Sequence, residues 1–194
     1  MFEYIAGKII ESSPAYLILE NNQTGYFIHV SVNTDSQLPQ PGEACKIFLH
    51  QVIREDAHLL FGFIDRAERE MFRQLISVSG IGANTARMIL SSFSPNDLRE
   101  AIMEGNVNLL KSIKGIGLKS AQRLIVDLKD KVGKPTTGSE IFAGMNNTIK
   151  DESLSALVML GFGKSVAEKV VDKILTDNKT ITLEDLVKEA LKKL

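Results

Sequence analysis

The hydrophobic pattern changes period along the chain. From Tyr4 to Glu11, Ala15 to Glu20, Tyr26 to Val32, Cys45 to Ile53 and His58 to Ile64, short runs rich in Ile, Val, Phe and Tyr are separated by turn-forming stretches such as Asn21-Asn22-Gln23-Thr24-Gly25 and Pro39-Gln40-Pro41-Gly42. Five strands in so short a span predict a small sheet. Closure would remove its unpaired edges, so a barrel of the OB type is expected over residues 1–64. From Asp65 the spacing turns helical, with Phe72, Leu75, Ile76 and Ser79 on one face. Ser94-Pro95-Asn96-Asp97 reads as an N-cap followed by proline at the first helical position, and Gly105 as a C-cap. Residues 65–132 thus form a region of short helices. Residues 133–149 are rich in Gly, Thr and Asn with little to bury, which predicts a flexible linker. Three helical patterns follow in residues 150–194, the last opened by Thr182 with Asp185 three positions on. The fold class expected is a multidomain chain: an all-β barrel, then all-α parts ending in a three-helix bundle.

Composition narrows the function classes. With 44% apolar and 24% charged residues, the 194-residue chain has globular proportions. The apolar runs fall far short of a bilayer span, and Met1 to Glu11 lacks a signal-peptide layout, so a cytoplasmic protein without membrane attachment is expected. Cys45 is the only cysteine, which leaves no intrachain disulfide and no cysteine-rich zinc site. The net charge of −1 is uneven: residues 1–64 carry 3 basic and 7 acidic side chains, residues 65–132 carry 11 and 8, and residues 133–194 carry 9 of each. A polyanion would meet the middle segment.

That segment contains a repeat. An offset of 35 superposes Leu75 on Leu110, Val78 on Ile113, Gly80-Ile81-Gly82 on Gly115-Ile116-Gly117, and Ala86 on Ala121. Helix, apolar residue, Gly-Ile-Gly, helix is the layout of a helix-hairpin-helix. Glycines let the backbone turn with positive φ and let amides approach a phosphate at the start of the second helix, while Ile81 and Ile116 plug the core. Two such hairpins can hold phosphates on both strands across one minor groove, without reading sequence. Lys119 and Arg123 lie four residues apart on one helical face after the second hairpin, as candidate phosphate contacts. Their counterparts are Asn84 and Met88; Asn84 donates a hydrogen bond without charge, and neighbouring Arg87 offers a substitute cation.

Barrel, tandem hairpins, linker and tail together resemble the RuvA family, whose members bind Holliday junctions in bacterial branch migration. The most specific stretches are Val52-Ile53-Arg54-Glu55-Asp56-Ala57-His58-Leu59-Leu60-Phe61-Gly62-Phe63, the hairpins, and Leu124-Ile125-Val126-Asp127-Leu128-Lys129-Asp130. The resemblance implies a fourfold tetramer on an open four-way junction, one or two tetramers per junction, that loads the hexameric ATPase RuvB; the RuvC resolvase is a further candidate partner. It also implies that Glu55 and Asp56, otherwise a polar hairpin tip, form an acidic pin near the junction centre, with Arg54 beside them at a backbone phosphate. Asn84 departs from the lysine found in many members. Met159-Leu160-Gly161-Phe162 resembles the glycine turn of ubiquitin-associated-like bundles, and Leu157, Leu160, Gly161 and Phe162 are the expected RuvB-binding residues.

Other chemistries fare worse. Gly163-Lys164-Ser165 looks like the end of a phosphate-binding loop, but Val158 stands where the first glycine belongs and no strand precedes it. His29, His50 and His58 have no ligand-spaced partners, so neither a metal nor a cofactor is expected. A helix-hairpin-helix glycosylase would use Asp127 and Lys119, yet no segment remains to build a base pocket. A single-strand-binding adaptor would need exposed aromatic platforms, and the chain has no tryptophan. The expectation is a non-enzymatic DNA-binding scaffold.

Overall fold

The computed structural model describes residues 2–132, 145–178 and 181–194, with only the backbone described at 145–148. The chain divides into two compact units, Met1–Thr136 and Thr137–Leu194.

The first unit begins with β1 (Tyr4–Ser13), β2 (Tyr16–Asn21), β3 (Thr24–His29), β4 (Ala44–Ile53) and β5 (His58–Phe63). They close as β1-β2-β3-β5-β4, with β4 returning to β1 and β3 running parallel to β5, giving the expected OB-type barrel. Inward-facing Ile9, Leu17, Leu19, Ile28, Ile47 and Leu49 fill it, as the period-two pattern requires. At Gly7 the strands approach so closely that a Cβ would lie 2.1 Å from the Glu20 carbonyl oxygen, so only glycine fits. The run Tyr26 to Val32 is shorter as a strand than its composition suggests. After His29 the chain turns into a short helix, α1 (Val32–Asp35), capped by the Ser31 hydroxyl, which accepts from the Thr34 amide at 3.0 Å.

Helices α2 (Arg66–Ile76), α3 (Ala83–Ser92), α4 (Pro95–Glu104), α5 (Val107–Lys111) and α6 (Leu118–Val132) follow. Ser94 caps α4 with Pro95 in its first turn, and Gly105 closes it at φ 71°, as the sequence signals require. The change of period at residue 64 is not a break in packing. Phe61 and Phe63 of β5 pack with tilted rings against Phe72 of α2, ring centroids 5.1 and 4.9 Å away, and belong to the helical core. Arg69, buried on α2, donates to the Glu3 carbonyl at 2.9 Å and pairs with its carboxylate at 2.6 Å. Buried Glu68 accepts from the hydroxyls of Ser31 and, at 2.6 Å, Thr34, tying α2 to α1. Barrel and hairpin region pack together within the first compact unit.

The second unit comprises α7 (Met145–Met159), α8 (Lys164–Asp177) and α9 (Leu183–Lys193) around Leu154, Leu157, Val171, Ile174 and Leu186. Thr182 caps α9 by accepting from the Asp185 amide at 3.3 Å. Lys150 of α7 pairs with Asp172 of α8 at 2.5 Å. Of the span read as linker, 133–144 lies outside the described residues, and 145–149 is already helix. Ile149 explains the earlier start, because it packs against the bundle core and draws the first turn into the helix.

Candidate nucleic-acid interface

The two hairpins have the same backbone, bond for bond. In the first, the Ser77 amide closes α2, Val78 donates to the Leu75 carbonyl at 3.1 Å, and Ile81 donates to the Val78 carbonyl at 3.0 Å. In the second, Ser112 closes α5, Ile113 donates to Leu110 at 3.3 Å, and Ile116 donates to Ile113 at 3.1 Å. Between them the chain turns at Gly80 with φ 91° and at Gly115 with φ 90°, a conformation that side-chain-bearing residues resist. Ile81 and Ile116 are buried plugs, 6% and 5% exposed, as their place in the repeat predicts.

Gly82 and Gly117 are different. At neither is φ positive, and a Cβ at either would meet nothing within 4 Å. Neither a positive φ nor internal packing requires glycine there, and both positions are open to solvent. Gly82 is the N-cap of α3 and its helix has no side-chain cap, so the leading amides of α3 face outward without an internal acceptor. Such a turn offers donors and a positive helix end to an anion.

Charge is divided unequally between the copies. Lys119 and Arg123 are exposed on α6, and the Arg123 guanidinium donates to the Ser79 carbonyl of the first hairpin at 3.3 Å. Asn84 is exposed at the start of α3. Arg87 is already engaged within the protein. Its side chain turns to the barrel, donates to the Ala15 carbonyl at 2.6 Å, and is half-buried, which holds its pKa below the usual arginine value. Arg87 therefore joins α3 to the β1–β2 turn. Sequence reasoning passed over two cations that compensate on the other side: Lys111 at the end of α5 and Lys114 inside the second hairpin, both exposed. The offset that aligned the glycines would have found Lys114, which occupies the position of Ser79. Residues 107–132 carry six basic and two acidic side chains, all exposed, so the positive field centres on the second hairpin. Leu118, half-exposed beside Gly117, adds an apolar contact at the same edge.

Arg54, Glu55 and Asp56 lie at the opposite extreme of charge. The β4–β5 ladder runs from Phe48↔Phe63 to Ile53↔His58, and the Arg54 amide closes the tip on the Ala57 carbonyl at 2.8 Å. All three side chains are exposed, and among the described residues none makes an ion pair.

The tail residues separate. Leu157 is fully buried and belongs to the bundle core, because it lies on the inward face of α7 with Leu154. It is not a surface contact. Phe162 is partly buried against the same core. Leu160 is 59% exposed beside Gly161, whose φ of 99° forms the turn. Val158, Met159 and Val166 are exposed near it, Met159 at 86%, so the apolar patch is broader than the sequence reading and centred one residue earlier.

Family models match the chain in three stretches: RuvA N terminal domain over residues 1–62, SAM-like helix-hairpin-helix tandem over 72–130, and RuvA C-terminal domain over 148–194. The chain is 47% identical over 194 residues to the Holliday junction branch migration complex subunit RuvA of Christiangramia forsetii, with both chains covered completely. It is 49% identical over 200 residues to the protein of that name from Cytophaga hutchinsonii, covering 99% of each, and 47% identical over 202 residues to that of Bacteroides thetaiotaomicron, covering both completely. With identity near one half along the full length, and barrel, hairpins and bundle each where a family model falls, the chain belongs to the RuvA family.

Proposed function

We propose that this protein binds four-way (Holliday) junction DNA by structure rather than sequence, holds the junction open and loads a RuvB ATPase for branch migration in recombination and repair, without catalysis of its own. The observation carrying the reading is the pair of backbone-identical hairpins, each with an outer glycine that the protein's own packing does not need. The glycine amides of the two turns and the leading amides of α3 and α6, with Lys119, Arg123 and Asn84, hold phosphates of one arm; Lys111 and Lys114 add charge. Backbone contacts carry no base information, so the grip is indifferent to sequence. Four copies, one per arm, satisfy the symmetry of the ligand as a homotetramer. Glu55 and Asp56 of each copy then repel phosphates from the crossover, with Arg54 holding a strand beside them. The exposed patch at Val158, Met159, Leu160 and Val166 takes the ATPase, with RuvC as a further partner of the assembled junction.

Competition gel shifts test the reading. A four-way junction should displace matched linear duplex and single strands, and equal affinity for all three would refute it. Met159→Asp with Leu160→Asp should leave junction binding unchanged and abolish stimulation of RuvB, with circular dichroism confirming the bundle. Full stimulation by the folded variant would rule the patch out.

A further inference from the structure

The internal repeat makes Met88 and Arg123 equivalent: they are 35 residues apart, the offset that superposes the hairpins. Each reaches away from its own hairpin to the other one. The Arg123 guanidinium on α6 donates to the carbonyl of Ser79, next to Gly80, at 3.3 Å. The Met88 Cε on α3 lies 3.6 Å from where a Cβ of Gly115 would stand. Ser79–Gly80 and Lys114–Gly115 are themselves equivalent positions, so the bond and the close approach are related by the same pseudo-symmetry as the hairpins.

We propose that Met88 and Arg123 are positioning residues that cross-brace the two hairpins and fix the separation of their phosphate-binding turns. The proposal rests on the reading of the hairpins as phosphate sites. Within one copy, the buried isoleucine sets how deep the turn sits, and one short hydrogen bond, from Ile81 to Val78 or from Ile116 to Ile113, closes it. Both anchors are internal to the copy, whereas the braces connect one copy to the other. Two phosphates straddling a groove are a fixed distance apart, so a pair of turns that wanders spends only part of its time at the matching separation. Apparent affinity falls by that fraction. One brace is apolar and the other a charge-assisted bond, so they separate experimentally. Met88 carries no charge and can influence a phosphate only through geometry, whereas Arg123 has further donors with which to contact DNA directly.

The test uses the full chain, a synthetic four-way junction and a salt titration, with amide exchange measured on the DNA-free protein. Met88→Ala is expected to weaken binding roughly three- to tenfold, as when the turns hold the matching separation about a third to a tenth of the time, at an unchanged salt slope and with faster exchange at Gly115 and Ile116. Met88→Leu, which refills the space, should restore both. Arg123→Ala, at an exposed position that folding tolerates, should speed exchange at Gly80 and Ile81 without DNA present. Parent-like binding by Met88→Ala, or unchanged exchange in Arg123→Ala, would overturn the brace. Lys119→Ala separates this from the underlying reading. If it weakens binding while Met88→Ala does not, only the brace fails; if it too leaves binding unchanged, the phosphate role of the hairpin fails with it.

Discussion

Arg87 and Lys119 are both cations on the second helix of a hairpin, and they should respond oppositely to removal. Arg87 gives a charge-assisted hydrogen bond to the Ala15 carbonyl at 2.6 Å, from a half-buried position linking α3 to the barrel. Such bonds contribute about 1.5–3 kcal/mol when buried, and partial solvent access reduces this to about 1–2 kcal/mol. For a body of this size that is a fall in Tm of roughly 3–8 °C. Arg87→Ala should therefore lower the melting temperature of the first unit and leave the slope of log K against log salt where it was. Lys119 is exposed at the second hairpin, so Lys119→Ala should leave Tm within about 1 °C, the usual surface outcome, and flatten the slope by about 0.9, one released counterion. Calorimetry on both variants, with filter binding to a junction at several salt concentrations, separates the two effects. An Arg87→Ala protein with parent-like Tm and a slope reduced by one contact would refute the strut assignment and return Arg87 to the phosphate set.

Adding charge at the first hairpin should do the reverse: Asn84→Lys is expected to steepen the salt slope by about 0.9 and tighten binding at low salt, read by the same filter assay. Glu55→Gln with Asp56→Asn should tighten binding to linear duplex relative to junction, since repulsion is removed from a tip whose backbone is unchanged; weaker binding by the folded variant in gel shifts would contradict the pin. Burial pushes the Glu68 carboxyl above its ordinary value of 4.5, against the hydroxyls of Ser31 and Thr34 that pull it down. The folded state therefore holds this proton to higher pH than the unfolded one, and the stability so contributed is complete below 4.5 and lost as pH rises through the folded value. Glu68→Gln should abolish that decline, which urea melts across the window would show. Gly7→Ala places a methyl 2.1 Å from the Glu20 carbonyl oxygen and 2.5 Å from Leu19 Cδ2, so a loss of about 3 kcal/mol or failure to fold is expected by circular dichroism.

What the sequence revealed follows from how local each signal is. The strands of the barrel, the caps at Ser94, Gly105 and Thr182, and the register of the two hairpins depend on residues within a few positions of one another, and all were legible. The Arg87 bond to the barrel is not legible, because its partner, Ala15, is 72 residues away. Arg69 was likewise counted in the positive middle segment although it is buried against Glu3. Leu157 and Leu160 are equally apolar in sequence, and only the phase of α7 against α8 and α9 assigns one to the core and the other to the surface. Lys114 is a different case: it stands in the turn itself, at the position Ser79 holds in the first copy, so only the register of the repeat marks it.

The distribution of charge bears on how a chain of net charge −1 selects a polyanion by shape. In the first unit the excess of exposed positive charge lies on α5, the second hairpin and α6, while Glu55 and Asp56 project from the β4–β5 tip with no cation paired to them among the described residues. Both belong to one compact unit, joined by the Phe61–Phe63–Phe72 cluster, the Arg69–Glu3 pair and the Arg87 bond, contacts that hold attraction and repulsion at a set spacing. A straight duplex can satisfy the hairpins only by continuing past them. On the proposed reading, continuation in one direction brings its phosphates to the acidic tip, whereas an arm that ends at a crossover spreads its strands and leaves the tip in the gap. On that reading the spacing converts a nearly balanced electrostatic surface into a preference for branched DNA, and a substitution that loosened barrel from hairpins would reduce selectivity before it reduced affinity.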